Sequence, residues 1–94
     1  MNLSLNDMEC LTYGLKLRAE EDIRQENMED LAYTALTTFH LIVEIQKEMD
    51  KYDPWSQEYR RLTVELEYCK SILDTCETFD TVHATIDVER RLLA

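Results

Sequence analysis

The side chains in this sequence whose types could support nucleophilic or metal chemistry are Cys10, Cys69, Cys76, His40 and His83. A zinc site needs about four closely grouped ligands, but the histidines are separated from the cysteines and the cysteines form no CxxC pair. A catalytic nucleophile needs a neighbouring base, and no spacing along the chain supplies one. We therefore predict no metal, no cofactor and no enzymatic activity. The cysteines are interpreted as reduced core thiols and the histidines as surface or rim residues.

The composition also disfavours phosphate and nucleic-acid binding. The one glycine, Gly14, cannot form a phosphate-binding loop, which needs several glycines. The two arginine pairs, at 60–61 and 90–91, are isolated in a chain with 20 acidic and 10 basic side chains. The resulting formal net charge of -10 repels a phosphate backbone. We predict no direct contact with DNA or RNA.

A run of acidic residues is the strongest candidate for a functional surface. The run consists of Glu20, Glu21, Asp22, Glu26, Glu29 and Asp30. It would present a negative patch to a basic protein partner. The alternative is structural, because acidic residues near the start of a helix stabilise its macrodipole and many charge runs are solvated faces. Both interpretations stay open on the sequence alone.

The elements that must position these residues are predicted to be helices. One glycine and one proline occur in 94 residues, of which 45% are hydrophobic and 32% charged, which is typical of long amphipathic helices. The length allows a single domain, residues 1–94. The predicted fold is all-α: a long antiparallel helical hairpin with an N-terminal helix and a short C-terminal helix, forming a three- to four-helix bundle.

Two start signals define the first pair of helices. Ser4 and Asp7 form a capping-box-like start, so the first helix is expected from about residue 5. Gly14 lies inside the apolar pattern of this helix, and we interpret it as a point of close approach by another helix. Asn27 and Asp30 repeat the start signal, which predicts a second helix over residues 28–51.

The second helix has an apolar stripe too wide for one neighbour. Its heptad positions are Met28, Leu31, Ala35, Thr38, Ile42, Ile45, Met49 and Tyr52. A second row beside them includes Leu36, Phe39 and Val43. We predict at least a homodimer with these three residues at its interface, unless the first helix covers them.

The third helix is predicted to begin at Pro54, with Asp53 as its N-cap. Its apolar positions continue the heptad pattern at Trp55, Tyr59, Leu62, Leu66, Cys69, Leu73 and Cys76. Four aromatic residues are expected to staple the end of the hairpin, with a binding hot spot as the alternative: Trp55, Tyr59, Tyr52 and Phe39. A break at 78–80, with Asp80 as a new cap, precedes a short helix over residues 81–93.

No stretch of about 18 consecutive apolar residues and no signal-peptide pattern occurs, so a cytoplasmic protein without membrane contact is expected.

The leading functional hypothesis is an acidic protein-binding module, an adaptor or inhibitor, acting on a basic partner, with a nucleic-acid-handling protein as the specific version. In size and charge, although in no motif, the chain is similar to small acidic helical phage proteins that block restriction or CRISPR effectors, some by imitating DNA. One alternative is a structural homo-oligomer whose acidity serves solubility. Another is a helical oligomer that sequesters a small ligand.

Overall fold

The computed structural model describes residues 3–93, which form four α-helices and no strand. The helices are α1 (Leu5–Arg24), α2 (Met28–Met49), α3 (Gln57–Cys76) and α4 (Asp80–Leu93). The predicted all-α bundle is therefore confirmed. The predicted domain also includes residues 1, 2 and 94, which lie outside the described residues. None of the four described helices has the length and hydropathy needed to span a lipid bilayer.

The predicted start signals of the first two helices are both present. Ser4 Oγ accepts a hydrogen bond from the Asp7 backbone N–H at 3.1 Å, and the Asp7 carboxylate accepts one from the Ser4 N–H at 3.3 Å. Asn27 Oδ1 accepts from the Asp30 N–H at 3.2 Å. These bonds satisfy backbone donors that have no partner within a helix.

Helix α2 is the centre of the molecule, since α1, α3 and α4 all pack against it. Helices α1 and α3 also pack against each other, whereas α4 packs mainly on α2. The heptad prediction is confirmed on both sides of the α2–α3 seam, because its central residues are all buried: Leu31, Ala35, Thr38, Ile42 and Ile45 of α2, and Leu62, Leu66, Cys69, Leu73 and Cys76 of α3.

The start of α3 differs from the prediction. Asp53 does not cap the helix, because its carboxylate accepts from the Trp55 N–H at 2.8 Å and its carbonyl accepts from the Ser56 N–H at 2.9 Å. These bonds close a turn around Pro54, as aspartate and proline commonly do. Ser56 is the actual N-cap, with its hydroxyl accepting from Tyr59 N–H at 3.2 Å. The helix therefore begins three residues later than expected.

The predicted aromatic staple is wrong for Trp55, which lies on this turn. Trp55 is 83% exposed, so it does not seal the end of the hairpin. Tyr52 and Phe39 are half-buried against the core, and Tyr59 is half-buried as well. The delayed start of α3 leaves Trp55 on the turn rather than on the buried helix face.

The predicted C-terminal helix is confirmed with a small shift. Asp80 lies in its first turn rather than at its cap, and the Phe79 carbonyl accepts from the His83 N–H at 2.9 Å. Val82 and Ile86 are fully buried. Their packing against the rest of the core offsets the weak helix preference of β-branched residues.

Two predictions about α1 are wrong. No atom of another helix approaches Gly14, since a Cβ added there would meet nothing within 4 Å. Cys10 is exposed, whereas the other two cysteines are buried. Cys10 follows Met8 by two residues, about 200° around the helix, so it points away from the face that Met8 and Thr12 bury.

Helix α4 accounts for part of the wide stripe on α2. Leu36, Phe39 and Val43 are half-buried, and the Arg90 guanidinium of α4 lies over the Phe39 ring at 5.9 Å from its centroid. His40 Nε2 lies 3.1 Å from a carboxylate oxygen of Glu89 on α4. A neighbour within the chain thus packs over Phe39 and covers part of this stripe, and the homodimer stays a prediction.

Candidate protein-binding surface

The predicted acidic run is brought together at one end of the molecule, around the turn between α1 and α2. We call the set Glu20, Glu21, Asp22, Glu26, Glu29 and Asp30 the acidic end. The antiparallel pairing of α1 and α2 across residues 25–27 places the last turn of one helix beside the first turn of the other.

Half of the acidic end is engaged in local structure. Glu21 forms an ion pair with Arg24. Asp22 accepts a hydrogen bond of 2.9 Å from the hydroxyl of buried Thr34. Asp30 accepts one of 2.7 Å from the Asn27 amide. These three carboxylates therefore have structural partners within the chain.

The other half faces solvent: Glu20, Glu26 and Glu29 are exposed. Glu26 has a φ of 56°, a left-handed conformation that non-glycine residues rarely adopt. Its N–H donates to the Ile23 carbonyl at 3.1 Å, which fixes this conformation in the turn. These carboxylates are accessible to a partner and, unlike that of the likewise exposed Asp30, are not engaged in a helix cap.

A groove between α1 and α3 adjoins the acidic end. These helices run in the same direction. Near their starts, Arg61 of α3 forms an ion pair with Glu9 of α1. Near their ends, the Asp22 carboxylate of α1 is close enough to Cys76 of α3 to raise the pKa of its thiol. The α1/α3 groove is lined by Glu9, Thr12, Tyr13, Lys16, Ala19, Glu20 and Ile23 from α1, and by Glu65, Tyr68, Ser71, Ile72 and Thr75 from α3. On each helix most of these residues follow one another at helical spacing, so they share a face.

The floor of the groove consists of buried and largely apolar side chains. Thr12, Ala19 and Ile72 are buried, with exposures of 5%, 4% and 8%. The Thr12 hydroxyl donates to the Met8 carbonyl at 2.8 Å and lies 3.4 Å from Cys69 Sγ. Because this hydroxyl is already paired, the floor behaves as an apolar surface toward a ligand.

The rim of the groove is aromatic and charged. Tyr13 and Tyr68 are 64% and 59% exposed, one on each helix. Glu20 and Glu65 also line the rim, opposed by Lys16. Since Glu20 belongs to both features, the groove and the acidic end form one continuous surface.

The buried thiols are held in their unreactive form. Burial raises the pKa of Cys76 to about 11, helped by the nearby carboxylates of Asp22 and Glu77. Burial also raises the pKa of Cys69, against a smaller opposing effect of its contact with Thr12. Thiols are nucleophiles only when ionised, so neither group is activated. The predicted core role is confirmed for these two cysteines.

Both histidines lie at the surface, as predicted, and both contact carboxylates at the α4 packing surface. His40 faces Glu89, and His83 Nδ1 lies 3.6 Å from Glu77 Oε1. Within residues 3–93, no cluster of three or more His, Cys, Asp or Glu side chains is arranged to hold a metal ion. The His40–Glu89 contact thus joins α2 to α4.

The α1/α3 groove was not predicted from the sequence. The signal was present in α1, where Thr12 interrupts the apolar row, and in α3, where Tyr68 and Ile72 lie beside the heptad seam. Comparison of the chain with protein-family models, curated proteins and solved structures finds no match.

Proposed function

We propose that this protein acts by binding a basic protein partner, as an adaptor or inhibitor, and not by catalysing a reaction. The observation that carries the proposal is the exposure of Glu20, Glu26 and Glu29 together at one end of a molecule with a net charge of -10. The proposed setting is the cytoplasm, and proteins that handle nucleic acid are the partner class with the most basic surfaces.

Charge of one sign concentrated at one place increases the rate of encounter with an oppositely charged protein. The electrostatic field of the protein provides no apolar contact area. The adjoining groove provides it, together with tyrosine side chains. Tyrosine is enriched among residues that contribute most to binding. Together these features favour a specific partner over general attraction to cations.

Affinity purification from the source cells followed by mass spectrometry tests the proposal. The immobilised protein is expected to retain a protein with a basic surface and to release it as salt rises. A triple variant, Glu20→Gln/Glu26→Gln/Glu29→Gln, is expected to retain less of it.

The matched control is Glu58→Gln/Glu67→Gln/Asp74→Asn, which removes the same charge from exposed positions on α3. If both triple variants lose the partner equally, the acidic end has no special role. Retention of acidic partners only, or retention that salt does not change, would contradict the proposal.

Self-association is a second candidate function, favoured by a different observation. Val88, Leu92 and Leu93 of α4 are 56%, 73% and 53% exposed, and clustered exposed apolar residues often mark an interface. Light scattering at roughly 100 μM, above the Kd of modest complexes, measures the assembly state. A dimer that dissociates in Val88→Lys/Leu92→Lys would assign the interface to α4, and one that dissociates in Phe39→Glu/Val43→Glu would support the predicted Leu36, Phe39 and Val43 interface. A monomer would exclude this candidate.

A further inference from the structure

We infer that the α1/α3 groove binds an amphipathic helix of the basic partner, with the apolar face of that helix on the floor and its cationic side chains on the rim. The inference rests on the proposed function, because it assumes that the partner is basic. It adds the site and the structure of the bound segment.

The dimensions of the groove fit a helix. Along α1 it extends from Glu9 to Ile23, which corresponds to about 21 Å at 1.5 Å per residue. A helix of about 14 residues has this length. Helices bind such grooves through apolar residues repeated at three- and four-residue steps.

The floor and rim have the chemistry that such a helix requires. Ala19 and Thr12 are small, so a neighbouring backbone can approach α1 closely. Tyr13 and Tyr68 flank the floor with exposed rings, which offer large contact area at low cost in side-chain entropy. The apolar side chains of the ligand would pack between these rings.

Charge selects a cationic helix. Glu20 and Glu65 lie on the rim, and Glu20 continues into the acidic end. Because α1 and α3 run in the same direction, both present the negative ends of their macrodipoles near Glu20. Lysine or arginine side chains on the ligand are therefore expected at this end of the groove.

A second copy of this chain is a poorer occupant. Its exposed apolar residues on α4, Val88 and Leu92, are accompanied by the acidic residues Asp87 and Glu89 as well as by Arg90 and Arg91. Such a helix is not cationic, and the rest of the second copy would bring further negative charge to the site. The charge of the groove favours another protein.

Titration of the intact protein with a labelled synthetic peptide tests the site. The probe is an amphipathic helix of about 14 residues made of Leu, Ala and Lys, and the control probe has the same composition in scrambled order. Fluorescence anisotropy at low salt measures both affinities. The amphipathic peptide is expected to bind at least about tenfold more tightly than the scrambled one.

Matched protein variants locate the binding. Ser71→Tyr places a ring in the groove at an exposed position, and Thr81→Tyr makes a comparable change at an exposed position of α4 outside it. The first is expected to weaken binding about tenfold and the second to leave it within about twofold. Circular dichroism confirms that each variant is folded.

The charge variants Glu20→Gln/Glu65→Gln and Glu58→Gln/Glu67→Gln provide a second test that adds no bulk. The groove pair is expected to weaken binding several-fold more than the control pair. Three results would overturn the groove inference: equal effects of the two charge pairs on affinity, no effect of Ser71→Tyr, or no preference for the amphipathic peptide over the scrambled one. None of these results would affect the proposed function, which is tested separately by the charge and the salt dependence of the protein that purifies with this chain.

Discussion

Arg90 and Glu77 form a bidentate pair: the two terminal guanidinium nitrogens of Arg90 donate hydrogen bonds of 2.6 and 2.9 Å to the two carboxylate oxygens of Glu77. Glu77 directly follows α3, and its side chain is only 11% exposed. The same guanidinium lies over the Phe39 ring of α2. The hydrogen bonds to Glu77 raise the pKa of Arg90 above its ordinary value. One side chain thus joins α4 to two other helices.

Substitution Arg90→Gln is expected to loosen α4. Loss of the charged hydrogen bonds and of the ring contact should lower the free energy of unfolding by about 1 kcal/mol, because Arg90 is itself 41% exposed and partly screened. Hydrogen exchange should become faster in α4 before it does in α2. The control Arg91→Gln removes the same charge from an 80% exposed side chain and should cost less than about 0.5 kcal/mol. Equal effects of the two substitutions would show that Arg90 does not anchor α4.

Substitution Gly14→Ala is expected to stabilise the protein. The added Cβ meets nothing within 4 Å, and alanine is favoured over glycine inside a helix by about 0.5 to 1 kcal/mol. For a domain of this size the Tm should rise by about 4 °C or more per kcal/mol. The substitution Ala84→Gly, at an exposed position of α4, should instead lower the Tm. A lower Tm for Gly14→Ala would mean that another chain packs against this part of α1.

Thiol labelling is expected to separate Cys10 from the other cysteines. Cys10 is exposed and Cys76 is buried. Burial raises the pKa of Cys76 to about 11, so its thiolate population near pH 8 is lower than that of an ordinary thiol by about 100-fold. A disulfide reagent should titrate one thiol in the native protein and all three in denaturant. Fast reaction of a second thiol would show that α3 is not stably packed.

Trp55 is expected to behave as a solvated side chain. Because it is the one tryptophan in the sequence and is 83% exposed, native and unfolded proteins should have similar emission maxima and similar acrylamide quenching. Trp55→Ala should change the free energy of unfolding by less than about 0.5 kcal/mol, whereas Leu62→Ala, at a fully buried position, should cost about 2 to 5 kcal/mol. A blue-shifted native emission would indicate that another molecule covers the turn.

The helices could be predicted because their signals are local or periodic. The capping box at Ser4 and the heptad rows of α2 and α3 depend on hydrogen bonds and spacings within a few residues. The start of α3 was misplaced because Asp53 can either cap a helix or close a turn. Which of these occurs depends on Ser56, whose hydroxyl competes as the cap.

The surface could be predicted only in part. The acidic end follows from sequence proximity, but the engagement of Asp22 by Thr34 depends on the packing of α1 against α2. The groove depends on the direction and spacing of α1 and α3, which are not neighbours along the chain. Likewise, the covering of Phe39 by Arg90 requires the position of α4. Contacts between distant segments leave no periodic signal.

The affinity of the intact protein for its purified partner, measured as a function of salt, tests the central claim most directly. Screening shortens the range of electrostatic attraction from about 10 Å at 0.1 M to about 3 Å at 1 M ionic strength. The Kd is predicted to rise steeply over this range for the wild type, and less steeply for Glu20→Gln/Glu26→Gln/Glu29→Gln. A Kd that does not change with salt, or equal slopes for the two proteins, would contradict the account.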